Sequence, residues 1–395
     1  MDRASGRRPR PAGGTTGRPG HAGAGSLVVP GLLVLAAAVA GAAAGGLPDL
    51  HVYRYGGDAV LHQAPLYDAD DPVTGYPFTY PPFAALVMVP LSVLPGWLAA
   101  ALWTGASTAA LLGCVAVALR AEGRPAPPGA VVGALALGAL ALEPVWQTLS
   151  FGQVNLLLML VLLVDLLGTH RRWSGVAVGV VAGIKITPLV FVALLVLTRQ
   201  RGAAGRALAA FAGTVVVGLL ALPGSAPAYW TDGLLDARRV GPPALAHNQS
   251  VHGALTRLLG EPVPVWLWCA VAGPLAVAVL LVAVRWWGRD RLLAICLGAL
   301  AMLVASPVSW SHHWVWAVPV ALALRPRSRW AALAWTAVFV ARPIVWPPWA
   351  NGREYAWRWF EHLPGNAYLL AALVLAGALG ALSGAGGLTR RSRTP

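Results

Sequence analysis

The feature that most limits how this chain can fold is its series of apolar runs. Runs of about 15 to 25 residues recur along the 395-residue chain, separated by short polar or basic stretches. A helix of about 20 apolar residues crosses the hydrocarbon core of a bilayer, and backbone groups inside lipid must be paired within helices or closed barrels. The runs lack the apolar–polar alternation of barrel strands. The sequence therefore predicts an all-α polytopic membrane protein.

The composition supports the same class. Hydrophobic residues make up 57% of the sequence and charged residues only 11%. Because a soluble domain carries about 25% charged residues, we expect no separate soluble domain. The formal net charge of +14 does not indicate nucleic-acid binding, since the basic residues lie in both tails and between apolar runs. Basic clusters beside apolar runs are typical of the loops and tails on the cytoplasmic side of a membrane protein.

The basic clusters also predict a topology. They lie near residues 120–124, 170–172, 199–206, 285–291 and 325–329. If these clusters are cytoplasmic, about ten to twelve transmembrane helices result and five connectors face outward. The outward connectors are residues 48–80, 143–152, 223–262, 306–313 and 347–366. We thus expect a multi-pass plasma-membrane protein with a disordered cytoplasmic basic tail at 1–26, a membrane bundle at 27–386 and a second basic tail at 387–395.

Two segments do not fit as simple spans. Residues 81–95 are short and proline-rich, and residues 173–197 run between two basic clusters with Lys185 and Pro188 in the middle. Each segment either spans fully or forms a broken, re-entrant pair, which is tolerated where it lines a cavity. The amine of Lys185 inside an apolar run indicates a partner anion, because an unpaired charge is costly in lipid.

The polar residues gather in or beside the outward connectors, so we expect the functional site on that face. Asp49 directly follows the first apolar run, which places its carboxylate at the membrane boundary. Partial desolvation there raises the pKa of a carboxyl group and makes it a better proton acceptor at neutral pH. The alternative is that Asp49 only caps a juxtamembrane helix.

A second polar constellation is the pair His312 and His313, which precedes a Trp-Val-Trp run. Adjacent imidazoles at the mouth of a span either bind a phosphate as cations or relay a proton near neutral pH. The alternative is two interfacial histidines within an aromatic belt. No third ligand stands at a suitable spacing, so we expect no metal site there.

These stretches resemble one family when they are taken in order. They are DLHVY at 49–53, FTYPPF at 78–83, GQVN at 152–155, AGIKITP at 182–188, NQS at 248–250 and SPVSWSHHWVW at 306–316. The chain resembles the actinobacterial polyprenol-phosphate-mannose-dependent α-1,2-mannosyltransferases, which have the GT-C membrane fold, and especially those that extend phosphatidylinositol mannosides.

The resemblance implies a GT-C helical bundle that transfers mannose, with inversion, on the outer face of the plasma membrane. The donor would be polyprenyl-phosphate-mannose and the acceptor a glycolipid, either a phosphatidylinositol mannoside or a lipoglycan mannan, with no cofactor. It assigns the catalytic base to Asp49 and places His312 and His313 in the site. The residues expected to contact substrate are Tyr53, Tyr80, Gln153, Asn155, Lys185, Asn248 and Gln249.

Two other functions fit the residues less well. A transporter or flippase for a polar lipid or a lipid-linked sugar would place charges at mid-membrane and show symmetry between two halves, and no internal repeat is visible. A catalytically inactive membrane scaffold has no use for Asp49 or for paired histidines. Within the transferase hypothesis, the sugar follows only from the resemblance, and a lipid-linked arabinose would need similar chemistry.

Overall fold

A computed structural model describes residues 22–121, 127–168, 172–234 and 237–391 of the chain. Within these ranges all regular elements are helices and no strand is formed, so the prediction of an all-α polytopic bundle is confirmed. Residues 1–21 of the predicted tail at 1–26 lie outside the described residues. Residues 392–395 of the predicted tail at 387–395 also lie outside them.

Eighteen α-helices follow one another within the described residues. They are α1 (Ala22–Gly45), α2 (Pro48–Leu61), α3 (Pro82–Ser92), α4 (Gly96–Arg120), α5 (Gly129–Ala139), α6 (Glu143–Phe151), α7 (Asn155–Leu167), α8 (Val176–Ile184), α9 (Val190–Leu197), α10 (Arg201–Ala221), α11 (Ala226–Ala228), α12 (Val251–Leu259), α13 (Val265–Trp286), α14 (Arg291–Ala305), α15 (Ala317–Leu324), α16 (Arg329–Ala341), α17 (His362–Gly365) and α18 (Ala367–Arg391). Short 3₁₀ segments join several of them, including Thr187–Leu189 and Ser311–Trp316.

The apolar helices of the bundle are of different lengths. Within the described ranges, four helices are long and apolar enough to cross a bilayer, in α1, α4, α10 and α13. Helices α5 and α6 together pass the same test but are bent by 85° at the break between them. Shorter apolar helices include α3, α7, α14 and the 187–197 segment. The figure of about ten to twelve crossings stays a prediction.

The first outward connector is largely helical. Helix α2 occupies its first part, outside the long apolar helices, and packs closely on α3. A β-carbon added to Gly57 would come within 2.8 Å of the carbonyl oxygen of Met88, so a glycine is needed where the two backbones meet. This hairpin of α2 and α3 fixes the start of the connector against the bundle.

The segment at 173–197 is broken at Lys185, as one of the two sequence interpretations predicted. Helix α8 ends at Ile184, Lys185 has extended backbone angles (φ −144°, ψ 119°), and Pro188 lies in the 3₁₀ turn that follows. Glycines along α8 lie against Ala203, Ala207 and Thr214 of α10, in the same order along both helices. Because α8 and α10 run parallel, the chain must reverse its direction in α9, and Lys185 lies at the apex of the hairpin that α8 and α9 form. Whether the segment is re-entrant in the membrane stays a prediction.

Candidate active site

The position of Asp49 is set by the junction between α1 and α2. Leu47 has a left-handed backbone (φ 53°) and its N–H donates to the carbonyl oxygen of Ser150 at 3.2 Å. Pro48 then opens α2, which suits a first helical position that needs no N–H donor. Asp49 lies in the first turn of α2, and the residue as a whole is partly exposed.

The junction between α6 and α7 supplies the neighbouring polar groups. Gly152 ends α6 with φ 69°, and its carbonyl oxygen accepts a hydrogen bond from Trp103 Nε1 at 2.7 Å. A β-carbon at Gly152 would lie 3.0 Å from Leu50, in a backbone conformation that side chains rarely adopt. The turn therefore brings Gln153 and Asn155 beside the start of α2.

A hydrogen-bonded cluster joins α2, the first connector and this turn. The hydroxyls of Tyr53 and Tyr80 are 3.0 Å apart, and they donate to Gln153 Oε1 at 3.0 Å and 3.3 Å. Tyr53 follows Asp49 by one helical turn, so both side chains lie on the same face of α2. Tyr53, Tyr80 and Gln153 are buried, and together they form the wall beside the Asp49 carboxylate.

Burial raises the pKa of Asp49 to about 7. Desolvation is the largest cause, and it is partly offset by a hydrogen bond from Gln153 and by the nearby positive charge of Lys185. A carboxylate with such a pKa is a stronger base than an exposed one and still ionises at neutral pH. The expectation of a raised pKa is therefore supported by the environment of Asp49.

Lys185 forms the second half of the site. Its Nζ lies 3.1 Å from Asn155 Oδ1 and 2.9 Å from His313 Nε2, and it stands 5.7 Å from the centroid of the Tyr80 ring. Since a charged ammonium group can only donate, His313 Nε2 accepts this hydrogen bond and is not protonated. His313 is then a neutral partner of the Lys185 cation; the two predicted roles of the histidine pair, phosphate binding as cations and proton relay, stay predictions.

His312 lies beside this pair and is held by its backbone. Its carbonyl oxygen accepts hydrogen bonds from Thr148 Oγ1 and Asn155 Nδ2, both at 3.0 Å. Its ring meets the ring of His313 edge-on at 4.7 Å between centroids. Within the described part of the chain, His312 Nε2 is buried and lacks a hydrogen-bond partner. A buried polar atom without a hydrogen-bond partner is unusual in a folded protein.

Asn248 and Gln249 lie behind the histidines, in what we call the closed cluster, together with Arg257. Asn248 Oδ1 accepts from the N–H of Ser309 at 3.0 Å, and Gln249 N–H donates to the carbonyl oxygen of Ser309 at 2.8 Å. Gln249 Nε2 also donates to the carbonyl oxygen of Gly365 at 2.7 Å. Both side chains are fully buried, so these bonds fix the connector that leads to His312.

Arg257 completes the closed cluster, and its side chain forms no ion pair with a carboxylate of the described residues. Its guanidinium group donates to the carbonyl oxygens of Ala244, Leu245 and Asn248, at 3.0 to 3.1 Å, and to the side chain of Asn366. The group is 1% exposed, so its hydrogen bonds lie inside the protein. These bonds tie the 244–248 backbone to α12.

A cavity of about 430 Å³, including its open mouth, lies beside Lys185 and His313. Asn155, Thr187 and Ser309 add polar groups to its lining near those two residues. Along α7 and α14 the lining is apolar, with Leu158, Met159, Leu162, Met302 and Leu303. The cavity thus joins a cationic end to an apolar slot between helices.

Sequence reasoning missed three residues that shape this site. Thr148 holds the His312 carbonyl, Trp103 packs on Tyr53 at 5.6 Å between ring centroids, and Thr187 lines the cavity. Thr187 stood inside the AGIKITP motif, whereas a Trp or Thr in an apolar helix carries no local signal. In the described ranges no group of three or more His, Cys, Asp or Glu residues converges as metal ligands would.

Comparison with known proteins identifies the family. The sequence pattern described as Glycosyltransferase family 87 matches residues 78–307. A polyprenol-phosphate-mannose-dependent alpha-(1-2)-phosphatidylinositol pentamannoside mannosyltransferase of Mycobacterium tuberculosis (strain CDC 1551 / Oshkosh) is 38% identical over 359 residues, covering 83% of this chain and 80% of the relative. The protein with the same description in Mycolicibacterium smegmatis is 36% identical over 359 residues, covering 83% and 84%.

A second kind of relative differs in its described acceptor. A polyprenol-phosphate-mannose-dependent alpha-(1-2)-phosphatidylinositol mannoside mannosyltransferase of Mycobacterium tuberculosis (strain ATCC 25618 / H37Rv) is 34% identical over 364 residues, covering 83% of this chain and 84% of the relative. No solved structure matches the chain. The pattern match covers more than half of the chain and the relatives cover more than two thirds of it, so the chain belongs to glycosyltransferase family 87.

Proposed function

We propose that this protein transfers mannose from polyprenyl-phosphate-mannose to a phosphatidylinositol mannoside and forms an α-1,2 linkage with inversion at the outer face of the membrane. The observation that carries the proposal is the carboxylate of Asp49 near Lys185, whose hydrogen-bonded pair with His313 lines one end of an apolar slot. The donor, the linkage and the acceptor class are those in the names of the relatives. Membership in a glycosyltransferase family favours this function over a transporter.

The donor fits the cavity by its chemistry. A polyprenyl phosphate carries an anion next to a long apolar chain, and the cavity has a cation at one end and apolar side chains along α7 and α14. Lys185 would bind the phosphate, with Asn155 and His313 holding its ammonium group in place. The first isoprene units would lie along Leu158 and Leu162, which follow Asn155 on α7 by about 5 to 10 Å.

The reaction then needs one proton transfer. The acceptor hydroxyl oxygen forms a bond to the anomeric carbon while the bond from that carbon to the phosphate oxygen breaks, and polyprenyl phosphate leaves with the electron pair. Asp49 takes the hydroxyl proton, as the base of an inverting glycosidase takes a proton from water. The Lys185 charge stabilises the leaving phosphate, so no general acid is required. Tyr53 and Tyr80 keep Gln153 aligned with the carboxylate.

The sidedness of the proposal rests on charge. The clusters at 199–206, 285–291 and 325–329 lie at the ends of helices opposite to the site, and such clusters are typical of the cytoplasmic side. Asp49 and the connectors therefore face outward, where a lipid-linked sugar is an available donor and a nucleotide sugar is not.

The test is a transfer assay with purified protein, radiolabelled polyprenyl-phosphate-mannose and a panel of phosphatidylinositol mannosides. The Asp49→Asn variant should lose at least about 10²-fold in rate, because base catalysis contributes about 10²- to 10⁴-fold. Asp58→Asn is the matched control, since Asp58 is an exposed carboxylate on the same helix and pairs with His62. An Asp49→Asn protein that keeps more than a tenth of wild-type turnover would contradict the proposal.

A further inference from the structure

A second cavity lies at the other end of the bundle. It is formed by the end of α7, the start of α10 and the turn between α13 and α14, and it has a volume of about 1570 Å³ including its open mouth. Helix α7 leads from Asn155 in the candidate active site to Leu167 in this cavity, a distance of about 20 Å along the helix. The two cavities therefore belong to different sites.

Arginine dominates the lining of this cavity. Arg199, Arg201 and Arg206 come from one segment, and Arg289 and Arg291 come from another about 85 residues later. The chain brings five cationic groups together around a concave surface, a costly arrangement unless an anion screens them. We call these residues and their surroundings the basic cavity.

The carboxylates near the basic cavity are already engaged. Asp165 accepts hydrogen bonds from the N–H groups of Gly175 and Val178. Asp290 accepts from the N–H of Leu293 at the start of α14 and pairs with Arg327. Neither carboxylate forms an ion pair with an arginine of the basic cavity within the described residues, so the cavity keeps a strong positive charge.

Two of the arginines are pre-arranged by the protein. Arg291 stacks on the ring of Trp287 at 3.8 Å, and its Nε donates to the carbonyl oxygen of Leu166 at 3.2 Å. Arg206 Nε donates to the carbonyl oxygen of Ser174 at 2.9 Å. The Arg291 guanidinium group, held by its face and its Nε, still presents its terminal N–H groups, which match the geometry of a phosphate.

We propose that the basic cavity binds the phosphate headgroup of an anionic membrane lipid. Helices α10 and α14 both begin there, and the positive ends of their dipoles add to the attraction for an anion. The neighbouring Trp173 is 65% exposed and Trp287 lines the cavity, as expected for tryptophan at the boundary of a bilayer. The ligand therefore enters from the membrane, with its acyl chains remaining in lipid.

The test measures lipid binding to the purified full-length protein in a zwitterionic detergent. Cardiolipin is the anionic probe and phosphatidylcholine the uncharged comparison, with bound lipid counted by native mass spectrometry. The Arg199→Gln/Arg201→Gln protein should bind cardiolipin about 20-fold more weakly, because each basic residue near an anionic headgroup contributes about fivefold. Both arginines are exposed, and neither side chain makes a hydrogen bond or an ion pair within the described residues, so the variant should fold.

The control variant is Arg120→Gln/Arg285→Gln, which removes two exposed arginines outside the basic cavity. It should keep cardiolipin affinity within about twofold of wild type. If the first double variant is not monodisperse, Arg201→Gln and Arg289→Gln alone carry the test, each with about a fivefold loss. Equal losses in test and control variants would overturn the proposal.

A further arm distinguishes a lipid from a soluble anion. Inorganic phosphate and pyrophosphate are added in competition with cardiolipin at fixed ionic strength. A membrane-derived ligand predicts that millimolar concentrations of either anion displace little cardiolipin. Displacement by micromolar pyrophosphate would show that the cavity takes a soluble phosphate, and the lipid proposal would then be wrong.

Discussion

The candidate active site and the closed cluster are two clusters of polar residues that meet at the 306–313 connector. They differ in how exposed their side chains are and in what those side chains bond. In the active site, Asp49, Lys185 and His313 are partly exposed, and Lys185 and His313 border a cavity. In the closed cluster, Asn248, Gln249 and Arg257 are buried and bond mainly to backbone groups of the protein.

The difference teaches how this chain uses costly polar residues inside a membrane bundle. A buried amide or guanidinium group is stable when the protein meets most of its hydrogen bonds, and it then makes a rigid support. A polar side chain whose hydrogen bonds are not all made within the protein can bind a ligand, but it lowers the stability of the fold. We therefore expect substitutions in the active site to reduce transfer and substitutions in the closed cluster to reduce stability.

The largest effect on transfer outside Asp49 is expected from Lys185→Gln. Loss of the charge that stabilises the leaving phosphate should lower kcat/KM by about 10³-fold, the size of effect seen when one strong electrostatic contact in an active site is removed. The melting temperature should not fall, because the variant no longer buries an amine. Radiolabel transfer measures the change in kcat/KM, and thermal unfolding in detergent measures the change in melting temperature. A loss of stability without a loss of rate would mean that Lys185 supports the fold and not the reaction.

The opposite pattern is expected for Arg257→Met. Removal of the guanidinium group leaves the acceptors of the 244–248 backbone and Asn366 without their donor, which should destabilise the protein by about 3 kcal/mol. The fraction that remains folded should have a near-normal kcat. Thermal unfolding of Arg257→Met beside Arg358→Met, an exposed control expected to change stability by less than about 0.5 kcal/mol, measures the difference.

The pH dependence of transfer tests the raised pKa of Asp49. The base must be ionised, so kcat/KM should rise through the pKa of about 7 and fall about tenfold per pH unit below it. The donor is a phosphodiester and stays ionised over this range, so the change belongs to the protein. A rate that stays constant down to pH 5 would mean that no group with this pKa acts as the base.

The smallest effect is expected from Tyr80→Phe. It removes one neutral hydrogen bond to Gln153 and keeps the ring beside Lys185, so a loss of about 1 kcal/mol, or roughly fivefold in kcat/KM, is expected. Steady-state kinetics over a range of donor concentrations measures it. A loss above about 10²-fold would move Tyr80 from a supporting role into direct contact with the reacting atoms.

Local sequence signals were enough to predict much of the active site. The apolar runs predict the helices, and Pro188 after Lys185 predicts the break that places an amine at an apex. The four-residue spacing of Asp49 and Tyr53 predicts that they share a helical face, once α2 is recognised. Each of these inferences depends on neighbours close in sequence.

The roles of Asn248 and Gln249 depend on partners that are far away in sequence. Gln249 bonds Gly365 and Tyr368, which follow it by more than 100 residues, and no local pattern reveals that these bonds fill its amide group. Local patterns also do not reveal the 85° bend between α5 and α6. The hydropathy of this region predicts one span followed by a loop. The predicted substrate contacts of Asn248 and Gln249 stay predictions.

The most direct test of the account is the equilibrium binding of the donor to Asp49→Asn and Lys185→Gln proteins, measured without acceptor. If Asp49 acts as the base and Lys185 binds the phosphate, Asp49→Asn should bind polyprenyl-phosphate-mannose at least as tightly as wild type, because the substitution removes a negative charge near the phosphate. Lys185→Gln should bind it at least about tenfold more weakly. Loss of donor binding in Asp49→Asn, or wild-type binding in Lys185→Gln, would contradict the account.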